Sequence, residues 1–103
     1  MQPYERLDAW QAAHRLALDV FRVTRSWPAE ERYGLTAQIR RAAFSVSANI
    51  VEGRARRGSK EFRHFLDLAW ASLAEVEYTL RFAHDLGYLS PGCFDELEEE
   101  RTA

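Results

Sequence analysis

The sequence has little of several things, and each shortage excludes a class. One cysteine, Cys93, in 103 residues builds neither a disulfide framework nor a Cys-based zinc site by itself, and this fits a reducing, cytoplasmic setting. Five glycines and three prolines are too few for a turn-rich all-β chain. There is no run of about eighteen apolar residues, so the expectation is no membrane span. The first residues, MQPYERLDAW, lack the apolar stretch of a signal peptide. Charge of one sign is also scarce: 14 basic against 16 acidic residues leave a net charge of −2, which does not point to nucleic acid. What is abundant is apolar residues at 47% and aromatics at 13%, an ordinary globular composition in a length that suits one domain over residues 1–103.

Apolar residues recur every three or four positions between three short breaks, the period of a helix. The breaks are Trp27 to Gly34, Gly53 to Ser59 and Gly87 to Pro91. The first segment, about Leu7 to Trp27, carries Trp10, Ala13, Ala17, Val20, Phe21 and Thr24 on one face, with Asp8 at the positive end of its dipole and Pro28 stopping it. The second, about Leu35 to Glu52, carries Leu35, Ile39, Ala42, Ala43, Val46 and Ile50. The third opens at Ser59 as N-cap and carries Phe62, Phe65, Leu66, Ala69, Leu73, Val76, Leu80 and Ala83. Gly87 is its expected left-handed end. A fourth opens at Ser90 and Pro91 with Phe94 and Leu97, then runs into Glu98, Glu99 and Glu100.

These segments predict an all-α, antiparallel up-down four-helix bundle with a short fourth helix. Its roughly eleven residues reach about 17 Å, against about 42 Å for the third helix. Apolar surface on the first and third helices therefore needs another cover, from further chain or from a neighbouring subunit.

A second apolar sector runs along the second helix through Ala37, Phe44, Ala48 and Val51. The third helix repeats it through Leu68, Ala71, Tyr78 and Phe82. A lone surface helix is polar there. Phe44, Ala48, Val51, Leu68, Tyr78 and Phe82 are accordingly candidate residues of an interface between copies of the chain. Beside the core stripe of the second helix lies a polar seam of Gln38, Arg41, Ser45, Asn49 and Glu52. Packed antiparallel, Gln38 falls near Glu75 and Arg41 near Ser72. Asn49 is expected to bond a neighbouring helix, because an unsatisfied buried amide costs about 1–3 kcal/mol.

Residues 54–63 hold five cations, Arg54, Arg56, Arg57, Lys60 and Arg63, against Glu61 alone. They are the candidate nucleic-acid contact, weighed against a solvated loop balanced by the acids of 95–100. Catalytic and metal signals are missing. His14, His64 and His84 have no paired ligand spacing, and there is no Glu-x-x-His, phosphate loop or GxSxG. The expectation is no enzyme, no cofactor and no metal.

Several stretches are jointly specific: LDAWQAAHRLALDVFRVT at 7–24, YGLTAQIRRAAFSVSANIVEG at 33–53, RGSKEFRHFLDLAWASLAEVEYTL at 57–80 and LGYLS at 86–90. The chain resembles the four-helix-bundle proteins encoded in intervening sequences of bacterial 23S rRNA genes, often labelled ribosomal-protein-like. The matching positions include Arg40, Arg41, Asn49, Glu52, Gly53, Ser59 and Phe62. The resemblance implies a homopentameric ring. It also implies kinship with the accessory protein of diversity-generating retroelements, which binds a reverse transcriptase and nucleic acid through a basic surface. Two functions follow as expectations: a non-catalytic oligomeric scaffold or adaptor with a protein partner, and an RNA- or DNA-binding accessory protein using the basic turn.

Overall fold

The computed structural model describes residues 2–90. Three helices dominate it: α1 over Asp8–Val23, α2 over Leu35–Ala55 and α3 over Ser59–Asp85. Short 3₁₀ turns at Pro3–Arg6, Thr24–Ser26 and Ala29–Glu31 complete the order, and no strand occurs among the described residues. The class is all-α, as the periodicity predicts. The expected fourth helix falls on residues 91–103, outside the described residues.

α2 is the central element and packs against both of its neighbours. Its stripe of Ile39, Ala42, Ala43, Val46 and Ile50 is buried as the spacing predicts. It meets Ala13, Leu16, Ala17 and Val20 of α1 and Ala69, Val76, Leu80 and Ala83 of α3. Two expectations for α1 are corrected. Phe21 is 42% exposed, whereas Leu16, absent from the expected stripe, is 3% exposed. Phe21 lies about 80° around the helix from Ala13, at the margin of the buried arc, where the Arg40 guanidinium covers its ring at 4.9 Å.

The helix ends show how local chemistry sets length. α1 gives way to a 3₁₀ turn at Thr24, short of Trp27, and Pro28 follows. α3 ends in a Schellman arrangement. Gly87 has φ +84°, its N–H donates to the His84 carbonyl at 3.0 Å, and Tyr88 N–H donates to the Ala83 carbonyl at 2.9 Å. At the other turn the expectation fails in two places. Ser59 is the first helical residue, with Gly58 at φ +88° in the capping position and no side-chain cap. Gly53 is no break: α2 runs through it to Ala55, and it is buried. A Cβ there would come within 2.7 Å of Phe65 Cβ and 3.0 Å of Phe62 Cδ1, so the glycine permits the close approach of α2 to α3.

Between α1 and α3 an apolar groove of about 330 Å³ stays open. Ala9, Ala12 and Leu16 form one wall, and Leu66, Trp70 and Leu73 form the other. Leu66 is 36% exposed, so the outer part of the expected α3 stripe is left uncovered in the single chain.

Candidate interaction surfaces

Antiparallel packing of α2 and α3 sets the level of every residue on the surface they share. Gln38 donates to Glu75 Oε2 at 3.3 Å, and Ser72 donates to Ser45 Oγ at 3.2 Å. Gln38 and Glu75 therefore meet where the antiparallel register puts them. Asn49 is half-buried, but its amide turns back along its own helix, donating to the Ser45 carbonyl at 2.8 Å and to Ser45 Oγ at 3.1 Å. The expected partner on a neighbouring helix is replaced by a local one, the usual recourse of a short amide side chain within a helix. Arg41 and Glu52 are exposed, and Glu52 pairs with Arg56 at 2.8 Å.

Outside this seam lies the second apolar sector. Phe44 is 56% exposed, Tyr78 67%, Phe82 44% and Leu68 40%, while Ala48 and Val51 are half-buried. The Tyr78 and Phe82 rings meet edge to face at 6.2 Å, which gives the sector a preset aromatic ridge. Single exposed hydrophobes are normal, and these bulky ones lie on two neighbouring helices.

The basic turn brings Arg54, Arg56, Arg57, Lys60 and Arg63 to the end of the molecule where α2 hands over to α3, all five exposed. Arg56 is occupied twice, by Glu52 and by the Phe65 ring beneath its guanidinium at 5.2 Å. Gly53, Arg54, Arg56, Gly58, Ser59 and Phe62 line a shallow depression of about 290 Å³ beside it. The arrangement can attract an oxyanion by charge and by the backbone N–H groups that open α3.

The opposite end holds features that periodicity does not display. Arg40 reaches across to the end of α1, its Nε donating to Thr24 Oγ1 at 2.8 Å and its Nη2 to the Phe21 carbonyl at 3.2 Å. Glu31 joins three segments: its Oε1 accepts from Leu35 N–H at 3.1 Å, and its Oε2 accepts from the Tyr88 hydroxyl at 2.9 Å. That carboxylate bond pushes the Tyr88 phenol above its ordinary range. Trp27, expected only as part of a break, is buried and packs on Tyr88 with ring centroids 5.8 Å apart. The signal available for this end was the Arg25, Arg32, Tyr33 and Arg40 spacing, which is no known motif. At the end of α3 the guanidinium of Arg81 holds the Asp85 carboxyl below its usual value.

A family model described as 23S rRNA-intervening sequence protein matches residues 5–103. The chain belongs to this family. The chain is also similar to a crystal structure of a protein of unknown function from the S23 ribosomal protein family of Bacteroides thetaiotaomicron VPI-5482. The two share 18% identity with a TM-score of 0.80, covering 91% of this chain and 88% of that chain. At that identity the likeness is one of fold. No curated protein matches the chain. Among the described residues, no helix is long and apolar enough to cross a membrane, and no group of three metal-ligating side chains occurs.

Proposed function

We propose that this intervening sequence protein is a non-catalytic, cytoplasmic scaffold or adaptor that works as a homo-oligomer, a pentameric ring, and presents its surface to a protein partner. The observation that carries the reading is the exposure of Phe44 on α2 and of Leu68, Tyr78 and Phe82 on α3, two packed helices. Burying such rings against a second copy contributes roughly 1.5–3 kcal/mol each relative to exposure. Helices that keep a rigid spacing through Ser45–Ser72 and Gln38–Glu75 suit a repeated contact in a ring.

The open groove supports the finer architecture. A fourth helix opening at Ser90–Pro91 would complete an antiparallel four-helix bundle along the end of the groove nearest Ser90. About eleven residues reach about 17 Å, and Trp70 stands about 22 Å from the end of α3. We assign a neighbouring subunit as the cover for the end around Ala9, Ala12 and Trp70.

Replacing both Phe44 and Phe82 with Glu tests the scaffold reading. The variant is expected to show a smaller mass in light scattering and an unchanged helical signal in circular dichroism. A double variant that keeps the mass of the unmodified protein would overturn the assignment of that face.

The second reading, an RNA- or DNA-binding accessory protein, is favoured by one observation: five exposed cations gathered at one end of the bundle. Five phosphate contacts give affinity that falls by about a few hundredfold between 50 and 200 mM salt. Changing Arg54, Arg56 and Arg57 to Ala is expected to abolish RNA or DNA retention without altering oligomer size. An unmodified protein with no salt-sensitive binding at about 50 mM salt leaves the scaffold alone.

A further inference from the structure

At the end of the molecule away from the basic turn, a cleft of about 620 Å³ opens where the α1–α2 connection folds over the start of α2. This volume lies within the range of about 300–1,000 Å³ typical of small-molecule sites. Its lining divides by burial. Thr24, Trp27 and Thr36 are each less than 10% exposed and form the floor, while Arg25, Arg32 and Tyr33 are exposed and form the rim. Arg40 also lines it. Three arginines therefore line one cavity, and no acidic side chain belongs to the lining.

Three details set this cleft apart from a loop with loose arginines. First, Arg40 is locked: two hydrogen bonds to the end of α1 and the Phe21 ring fix its guanidinium, so its charge is preorganised. Second, the Glu31 carboxylate lies outside the lining, where it accepts from the Tyr88 hydroxyl and the Leu35 N–H. Third, the Trp27 indole Nε1–H is buried and has no hydrogen-bond acceptor among the described residues. Leaving a buried donor unmet costs about 1–3 kcal/mol, so the indole at the floor is a sensitive reporter of changes in the cleft. On the rim, Tyr33 is 89% exposed, with the Arg32 guanidinium 5.9 Å from its ring centroid. An aromatic face so open is a stacking platform.

We propose that this cleft binds a nucleoside monophosphate. Arg25 and Arg32 take the phosphate oxygens, with Arg40 supplying fixed charge behind them. The Tyr33 ring stacks on the base, and the Trp27 indole packs at the floor beneath the ligand. Charge calls for the phosphate, and the exposed ring calls for a planar group attached to it. The site is separate from the basic turn and from the Phe44–Phe82 face, and its proof or failure leaves both readings of function untouched.

The experiment uses the three tryptophans. In the ¹⁵N-labelled full chain each indole gives one N–H resonance, and Trp10→Phe and Trp70→Phe assign Trp27 by elimination. The protein is titrated separately with 5′-AMP, inorganic phosphate and adenosine. The expected result is a saturable shift of the Trp27 resonance with 5′-AMP, tighter than with phosphate or adenosine alone. Arg25→Ala with Arg32→Ala is expected to weaken 5′-AMP at least about tenfold, while Arg54→Ala, Arg56→Ala and Arg57→Ala together leave it unchanged. Both arginines are exposed, and circular dichroism checks that the variant keeps its helices. Absence of a Trp27 shift up to about 5 mM 5′-AMP overturns the proposal. So does phosphate binding as tightly as 5′-AMP, or a shift insensitive to the Arg25 and Arg32 substitutions.

Discussion

Gly53 of α2 lies against Phe65 of α3 so closely that a Cβ on the glycine would stand 2.7 Å from the phenylalanine Cβ. The blocking atom is a Cβ, so no rotamer change of Phe65 relieves the contact. The two backbones must separate instead. Alanine gains about 1 kcal/mol over glycine in a helix interior, but overpacking at a rigid contact costs about 1–3 kcal/mol. Gly53→Ala is expected to lower stability in urea unfolding, and a more stable variant would contradict this account of the helix pair.

Arg40 ties α2 to the end of α1 through Thr24 and the Phe21 carbonyl. Arg40→Met keeps the stem over Phe21 and loses both bonds. The expected cost is about 1–2 kcal/mol, read as a lower urea midpoint. An unchanged midpoint would show that the bonds are exchanged for water without loss.

Asn49 gives the opposite expectation. Its amide serves Ser45 of its own helix, so Asn49→Ala is expected to fall within about 0.5 kcal/mol of the unmodified protein. A loss above 2 kcal/mol, roughly the cost of an orphaned buried group, would place its partner on another subunit.

Tyr88 donates to the Glu31 carboxylate, and its phenol is held above the ordinary value of about 10. A raised folded pKa means that the contribution is complete below about pH 10 and is lost as pH climbs through the raised value. Ultraviolet titration is expected to show a late ionisation that Tyr88→Phe removes. A Tyr88→Phe variant that keeps the late step would contradict the contact.

The parts of the fold legible in the sequence were those where one residue's chemistry decides. Pro28 and Gly87 mark a stop because a missing N–H and a positive φ leave no alternative. The α2 stripe was legible because that helix is covered on two sides by its neighbours. Phe21 and Leu16 were exchanged because α1 meets only α2 closely, and its buried arc is displaced toward the groove. Gly53 was read as a break because a glycine's second use, admitting another backbone, depends on which residue faces it. The cleft beneath Tyr33 was invisible for a related reason. Arg25, Trp27, Arg32 and Arg40 come together only when the connection folds back over α2, and no periodicity records that. Residues of the apolar sector and of the basic turn could be named from spacing and charge, whereas their levels across α2 and α3 follow from the Ser45–Ser72 and Gln38–Glu75 bonds.

The account rests on the exposed faces of α2 and α3 being buried between copies of the chain. Multi-angle light scattering of the unmodified protein, taken over a range of concentrations, measures this directly. The expected mass is that of a pentamer, five times the 11.9 kDa chain, steady across the range. A mass of 11.9 kDa at every concentration would mean that Phe44, Tyr78 and Phe82 face water in the working protein, and would contradict the account.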